Sequence, residues 1–147
     1  MSTSSDRTRA RRYAMQALYE WQVAGSSPHD IEQQFLIEHQ TRNFDRAYFH
    51  ELLSEVSSQV EELDALIAPL SERPIMEIDI VEKAILRLGC YELKSRPDIP
   101  YRVIINEAIE LAKTFGADQA HKFINGTMDK LAASLRAVEV TARKGGK

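Results

Sequence analysis

Apolar residues recur at helical spacing along almost the whole chain, and no stretch shows the period-two alternation of a half-buried strand. A stripe of this kind predicts a first helix that ends near 25–28. Further stripes predict helices at about 31–38, at 45–67, from Asp79 to a break at 96–100, at 103–115 and at 118–135. The sequence therefore predicts an all-α fold. The apolar positions of the first stripe are Ala10, Tyr13, Ala14, Ala17, Leu18, Trp21 and Ala24.

Residues that start or stop helices support these boundaries. Asp79, with Glu82 three residues later, has the spacing of a capping box. Gly116 follows the fifth stripe at a position that often adopts the left-handed conformation. Pro69 and Pro74 bracket a connector that could separate two lobes. We expect residues 137–147 to form a disordered basic tail.

Positive charge is concentrated at the two ends of an otherwise acidic chain. The formal net charge is −3, yet four arginines and one aspartate give residues 1–12 a charge of +3, and residues 136–147 also carry +3. Planar, permanently charged guanidinium groups suit phosphate oxygens and stacking on bases. The run from Arg7 to Arg12 thus indicates a nucleic-acid contact, although a solvated arm that only keeps the protein soluble fits the composition equally well.

Catalytic and metal chemistry find little support in the sequence. The four histidines lack a ligand spacing, the six glycines form no phosphate-binding loop, and Cys90 is the single cysteine, among mostly apolar neighbours that predict a buried thiol. We therefore expect no enzymatic activity, no metal and no cofactor. No apolar run approaches the roughly 20 residues that span a bilayer, and no signal peptide is evident, which predicts a cytoplasmic protein that does not bind membranes.

Aromatic and cationic residues could complete a binding surface. Tyr19 lies off the first apolar stripe, and Lys122 and Phe123 lie in the first turns of the last predicted helix. If the arginine run packs beside that helix start, cations and rings would line one surface suited to single-stranded RNA. Ordinary core packing is the alternative for both Tyr19 and Phe123.

Several blocks of this sequence, in the right order, resemble the NusB family of bacterial transcription antitermination factors. The resemblance covers nearly the whole chain except the first few residues and the basic tail. Its blocks are Arg9-Ala10-Arg11 with AMQALYEWQ (14–22), VEKAILR (81–87) with YEL (91–93), IPY (99–101), NEAIELAKTFG (106–116) and HKFING (121–126).

The resemblance implies a fold of about seven helices in two packed helical subdomains. In this chain they would form one RNA-binding domain over 1–136, with an N-terminal lobe at about 6–68 and a C-terminal lobe at about 75–136. It also implies a protein that pairs with NusE, a small-subunit ribosomal protein. The pair would bind single-stranded boxA RNA in nascent ribosomal RNA transcripts and join RNA polymerase and other Nus factors to suppress termination. Whether the free protein is a monomer or a homodimer stays open.

The resemblance assigns site residues as well. It implies RNA contacts through the arginine run and the aromatics, and places Glu82 near a NusE-facing surface. Arg12 stands where the family often has Glu, and Gln119 stands where it often has an acidic residue, so RNA could bind more tightly here or through a different contact. The implied RNA-binding residues are Arg7, Arg9, Arg11, Arg12, Tyr19, Gln119, Lys122 and Phe123.

Two other functions are alternatives to RNA binding. A helical adaptor that binds only protein would leave the arginines incidental. An RNA-modifying enzyme, suggested by similar helical domains fused to a methyltransferase, would need a Rossmann-like domain and catalytic cysteines for which this chain has no room.

Overall fold

Helices account for the regular structure of the chain, whose computed structural model describes residues 3–145. This confirms the all-α prediction. Two short 3-10 turns, at Ala68–Leu70 and Ile75–Glu77, lie at the two ends of the connector predicted between the lobes. The eight α-helices in the described residues are α1 (Ser4–Ala24), α2 (Pro28–Glu38), α3 (Arg46–Ser58), α4 (Val60–Ile67), α5 (Ile80–Ser95), α6 (Tyr101–Phe115), α7 (Ala120–Leu135) and α8 (Ala137–Gly145).

One helix predicted over 45–67 is interrupted at Gln59, which separates α3 from α4. Just before the break, the Ser57 hydroxyl donates to the Leu53 carbonyl at 2.7 Å and the Ser58 hydroxyl donates to the Glu55 carbonyl at 3.1 Å. Serine hydroxyls that bond to preceding carbonyls compete with the helical ladder and bend it. The apolar stripe alone does not report this competition.

The chain divides into two compact units between Val60 and Glu61. Unit 1 contains α1 to α3, and unit 2 contains α4 from its second residue onward together with α5 to α8. This division falls earlier than the predicted connector at 69–74, because α4 is tied to α5 within unit 2. Asp64 accepts two hydrogen bonds from the Arg87 guanidinium at 2.7 and 2.8 Å, and Lys94 pairs with Glu62 at 2.9 Å.

In unit 1, α1 packs its apolar stripe against α2 and α3. The stripe from Ala10 to Leu18 is buried as predicted, whereas Trp21 and Ala24 are partly or fully exposed. Aromatic rings fill the space beside it: Tyr13 stacks on His39 with centroids 4.1 Å apart and meets the edge of Phe44 at 4.9 Å. Burial of this stripe and these rings supplies the main stabilisation of the unit.

In unit 2, α5 is the central helix and packs on α6 and α7. Its residues from 84 to 93 are all buried. The end of the Met128 side chain, from α7, occupies the space beside Gly89 that a Cβ would take, so a larger residue there would require Met128 to move. Cys90 is buried in the same helix, as predicted, and burial raises the pKa of its thiol to about 12.

The turn between α6 and α7 differs from the expectation for Gly116. Gly116 follows α6 with an extended backbone (φ −83°, ψ 170°), so it is not left-handed. A side chain there would instead crowd the Ala112 carbonyl, at 2.7 Å from an added Cβ. Gln119 takes the left-handed conformation at φ 68°, as the residue that precedes α7. Such a conformation is costly for a residue with a side chain.

Residues 137–145 form α8 where a disordered tail was expected; residues 146–147 lie outside the described part of the chain. Arg136 and Glu139 attach this helix. The Arg136 guanidinium donates to four backbone carbonyls at 2.7–3.2 Å and to Glu139 at 2.7 Å. Glu139 also accepts from the Tyr101 N–H at 3.0 Å. Partial burial acts to raise the pKa of Glu139, but the hydrogen bonds from Tyr101 and Arg136 lower it overall.

Candidate nucleic-acid interface

The arginine run belongs to the first turns of α1 and is not a free arm. Thr3 and Asp6 form a capping box at the start of the helix, with the Thr3 side chain accepting from the Asp6 N–H at 3.0 Å and Asp6 accepting from the Thr3 N–H at 3.2 Å. A helix that begins here fixes the direction of each arginine, since residues four apart share a face. The four arginines therefore have different environments.

Three of them contact other parts of unit 1. The Arg7 guanidinium lies 3.7 Å from the Asp45 carboxylate and 4.7 Å from the centre of the Tyr48 ring. Arg9 donates to the carbonyl of Asn43. Arg11 is only 4% exposed, and its guanidinium lies 5.5 Å from the centre of the same Tyr48 ring. These contacts give the run a structural role in holding α1 to α3 and the loop before it.

Arg12 and Tyr19 lie at the surface of unit 1. Arg12 is exposed, and Tyr19 is 42% exposed on the same helix. Tyr19 was expected either to face a ligand or to pack in the core, and this exposure supports the first alternative. A cation and an exposed ring on one helix supply the two kinds of group that hold single-stranded nucleic acid.

In unit 2, the Phe123 ring is half-buried at the start of α7 and lies under a guanidinium. The centre of the Arg73 guanidinium is 4.1 Å from the centre of this ring. One nitrogen of that guanidinium donates to Glu82 at 3.1 Å. Phe123 is thus neither a fully buried core residue nor an isolated ring, because the Arg73 guanidinium covers one face of it.

Glu82 is 3% exposed, so its carboxylate is buried in the structure. That it lies near a NusE-facing surface stays a prediction. Glu82 does not complete the predicted capping box. Asp79 caps α5 alone by accepting from the Val81 N–H at 3.0 Å. Arg73 is the cation that compensates the charge of the buried Glu82 carboxylate.

Gln119 and Lys122 both lie exposed at the start of α7. The Gln119 side chain makes no capping hydrogen bond and lies 3.4 Å from the Asp118 carboxylate. Unit 2 therefore brings Gln119, Lys122 and Phe123 to one helix start, and unit 1 brings the arginines and Tyr19 to α1. A common surface formed by the two sets stays a prediction.

Arg73 is the residue that the sequence analysis missed. It lies in the connector between Pro69 and Pro74, which was interpreted only as a lobe boundary. The available signal was its chemistry, since an arginine in a short connector beside helices with carboxylates and rings has partners within reach.

The described residues 3–145 contain no group of three or more His, Cys, Asp or Glu residues arranged to hold a metal ion. None of their helices is long and apolar enough to cross a membrane.

Comparison with known proteins identifies the family. Residues 8–133 match the NusB family. The transcription antitermination protein NusB of Alcanivorax borkumensis is 53% identical over 143 residues, which cover 97% of this chain and 95% of that protein.

Solved structures agree with the sequence match. The structure of T. maritima NusB is similar at a TM-score of 0.76 and 31% identity, with 90% of this chain and 92% of that chain covered. The NusB fold in a complex of antitermination factors NusB and NusE with dsRNA is similar at a TM-score of 0.78 and 26% identity, covering 90% of this chain and 99% of that chain. The resemblance inferred from the sequence blocks is confirmed, and the chain belongs to the NusB family.

Proposed function

We propose that this protein is an RNA-binding transcription antitermination factor. It binds NusE, and the pair binds boxA RNA in nascent ribosomal RNA transcripts and joins RNA polymerase and other Nus factors to resist termination. The observation that carries the proposal is the similarity, over 90% of this chain, to a NusB solved together with NusE and RNA. The protein acts without enzymatic chemistry, in the cytoplasm, where nascent transcripts are found.

The described residues support this proposal with groups of the right chemistry. Arg12 and Lys122 are exposed cations for phosphates, and Tyr19 and Phe123 are rings with accessible surface for unstacked bases. Single-stranded RNA is commonly held by this combination of backbone cations and stacking rings. The wild-type interface would include fewer free arginines than the sequence suggested, because Arg11 is buried.

A protein-only adaptor is the second candidate, and one observation favours it. Arg7, Arg9 and Arg11 all contact unit 1, as expected if the run holds α1 in place and has no role in RNA binding. The adaptor would bind NusE with no measurable affinity for RNA.

An electrophoretic shift with boxA RNA, with and without NusE, separates the two functions. We expect the complex with NusE to shift the single-stranded boxA sequence more strongly than a scrambled sequence. A duplex of the same sequence in a parallel lane shows which form of RNA is preferred. If NusE binds while RNA fails to shift under either condition, the adaptor is correct and the RNA-binding function is refuted.

A further inference from the structure

Three residues from different parts of unit 2 form one connected stack. Glu82 lies at the start of α5, Arg73 in the connector before it, and Phe123 in the first turns of α7. The Arg73 guanidinium bonds to the Glu82 carboxylate at 3.1 Å and covers the Phe123 ring at 4.1 Å. The chain thereby brings a carboxylate, a guanidinium and a ring together from positions up to fifty residues apart in the sequence.

The backbone and the side chain of Arg73 are both held in place. The Ser71 hydroxyl accepts from the Arg73 N–H at 3.1 Å and donates to the Arg73 carbonyl at 2.7 Å. The Glu82 side chain is 4% exposed and that of Arg73 is 48% exposed, so the ion pair has one buried end and one end in solvent. Removing the charged partner of a buried carboxylate is strongly destabilising. The burial of Glu82 therefore holds the Arg73 guanidinium in its position.

The exposed part of the guanidinium retains hydrogen-bonding capacity. Arginine has five N–H donors, and Glu82 is the hydrogen-bond partner of this side chain within the described part of the chain. A guanidinium that lies over the centre of a phenyl ring covers that face of the ring, and its own outer plane then becomes the flat surface on which a base can stack. About half of the Arg73 side chain is exposed, so its remaining donors can reach phosphate or base oxygens.

We propose that Arg73 is an RNA-contacting residue, and that buried Glu82 is a positioning residue which holds the Arg73 guanidinium on Phe123 as a composite stacking platform for single-stranded RNA. This inference rests on the proposed RNA-binding function. Glu82 neutralises the charge of Arg73, so the platform contributes by stacking and directed hydrogen bonds more than by net charge.

Substitution of Arg73 tests the platform directly. Arg73→Ala should weaken boxA binding by roughly threefold to tenfold. Arg73→Lys should lose nearly as much affinity, because an ammonium keeps the charge but offers no plane. Lys113→Ala is the control, since it also removes one positive charge from an exposed position of unit 2, and it should leave the affinity within about twofold. Fluorescence anisotropy with labelled boxA RNA, in the presence of NusE, measures all three.

Glu82→Gln gives the sharper test, because two explanations predict opposite signs. Removing a carboxylate near RNA should raise affinity if only charge matters. The platform predicts weaker binding, because the amide no longer holds the guanidinium over the ring. A thermal melt of each variant reports whether it is folded, and Arg73→Lys decides the matter alone if Glu82→Gln unfolds.

The outcomes separate this inference from the function on which it rests. If the wild-type protein with NusE fails to bind boxA RNA, the proposed function falls. If the wild type binds and Arg73→Ala, Arg73→Lys and Glu82→Gln all bind equally well, the platform is refuted and the function stands. Weaker binding by Arg73→Ala with full retention by Arg73→Lys would also refute it, since charge alone would then explain the contact.

Discussion

Replacement of Arg11 by alanine should destabilise the protein more than it affects RNA binding. The Arg11 side chain is 4% exposed, and its guanidinium lies 5.5 Å from the Tyr48 ring. The substitution removes a cation–π contact worth about 0.5–2 kcal/mol and the packing of the buried aliphatic stem. We expect a total loss of about 1–3 kcal/mol in the free energy of unfolding. Each kcal/mol lowers Tm by roughly 2–4 °C in a chain of this length, so the variant should melt about 2–12 °C below the wild type.

Arg12→Ala is the matched control, because it removes the same side chain from the neighbouring, exposed position. Its free energy of unfolding should stay within about 0.5 kcal/mol of the wild-type value, so its Tm should barely change. If Arg12 contacts a phosphate, the slope of log K against log salt should fall by about 0.7. Differential scanning fluorimetry and RNA titrations at several salt concentrations measure both properties. The reasoning is refuted if Arg11→Ala melts at the wild-type temperature and lowers the salt slope as Arg12→Ala does.

Three substitutions and one labelling experiment test the turn, the core and the last helix. Gln119→Gly should raise Tm, because a side chain in the left-handed region costs about 1–2 kcal/mol, a gain partly offset by the greater backbone entropy of glycine in the unfolded chain. Gln119→Asp should weaken RNA binding at low salt, because it adds a carboxylate beside Asp118. Equal binding of Gln119→Asp and the wild type at low salt would contradict the second prediction. Cys90, whose pKa is raised to about 12 by burial, should resist iodoacetamide at pH 8 until the protein is denatured, and rapid alkylation of the native protein, detected by mass spectrometry, would show that the thiol is accessible. Glu139 has a lowered pKa in the folded protein, so its stabilisation is present above the unfolded carboxyl pKa and is lost as the pH falls through the folded value. Melting curves should therefore show a deficit for Glu139→Gln at neutral pH that shrinks in acid, and a constant deficit would contradict this linkage.

The sequence predicts best those features that depend on local pattern. The stripe from Ala10 to Leu18 is buried as the helical period requires, and Asp79 caps α5. Local pattern fails where a distant partner decides the structure. α8 was expected to be disordered because its own composition is polar and basic, yet Arg136 and Glu139 attach it to residues about 40 positions earlier.

The candidate site shows the same distinction. Arg11 lies three residues before buried Ala14 and shares its face of α1. Helical geometry therefore predicts that Arg11 is buried, whereas its charge predicts exposure. Tyr19 was correctly placed off the apolar stripe by the same geometry. The contact between Arg73 and Phe123 could not be predicted, because it depends on the packing of a connector on a helix fifty residues away.

The cap that Arg136 places on the end of α5 affects the order in which the chain can fold during synthesis. Its four carbonyl partners are made 37–44 residues before Arg136 itself. At ribosomal rates this interval lasts roughly 2–8 s. The residues of unit 1 are all complete by position 60, so α1 can bury Arg11 while the end of α5 still bonds to water. Translation therefore completes the two units at different times. In a nascent chain stalled within this interval, α1 should resist proteolysis more than the end of α5 does.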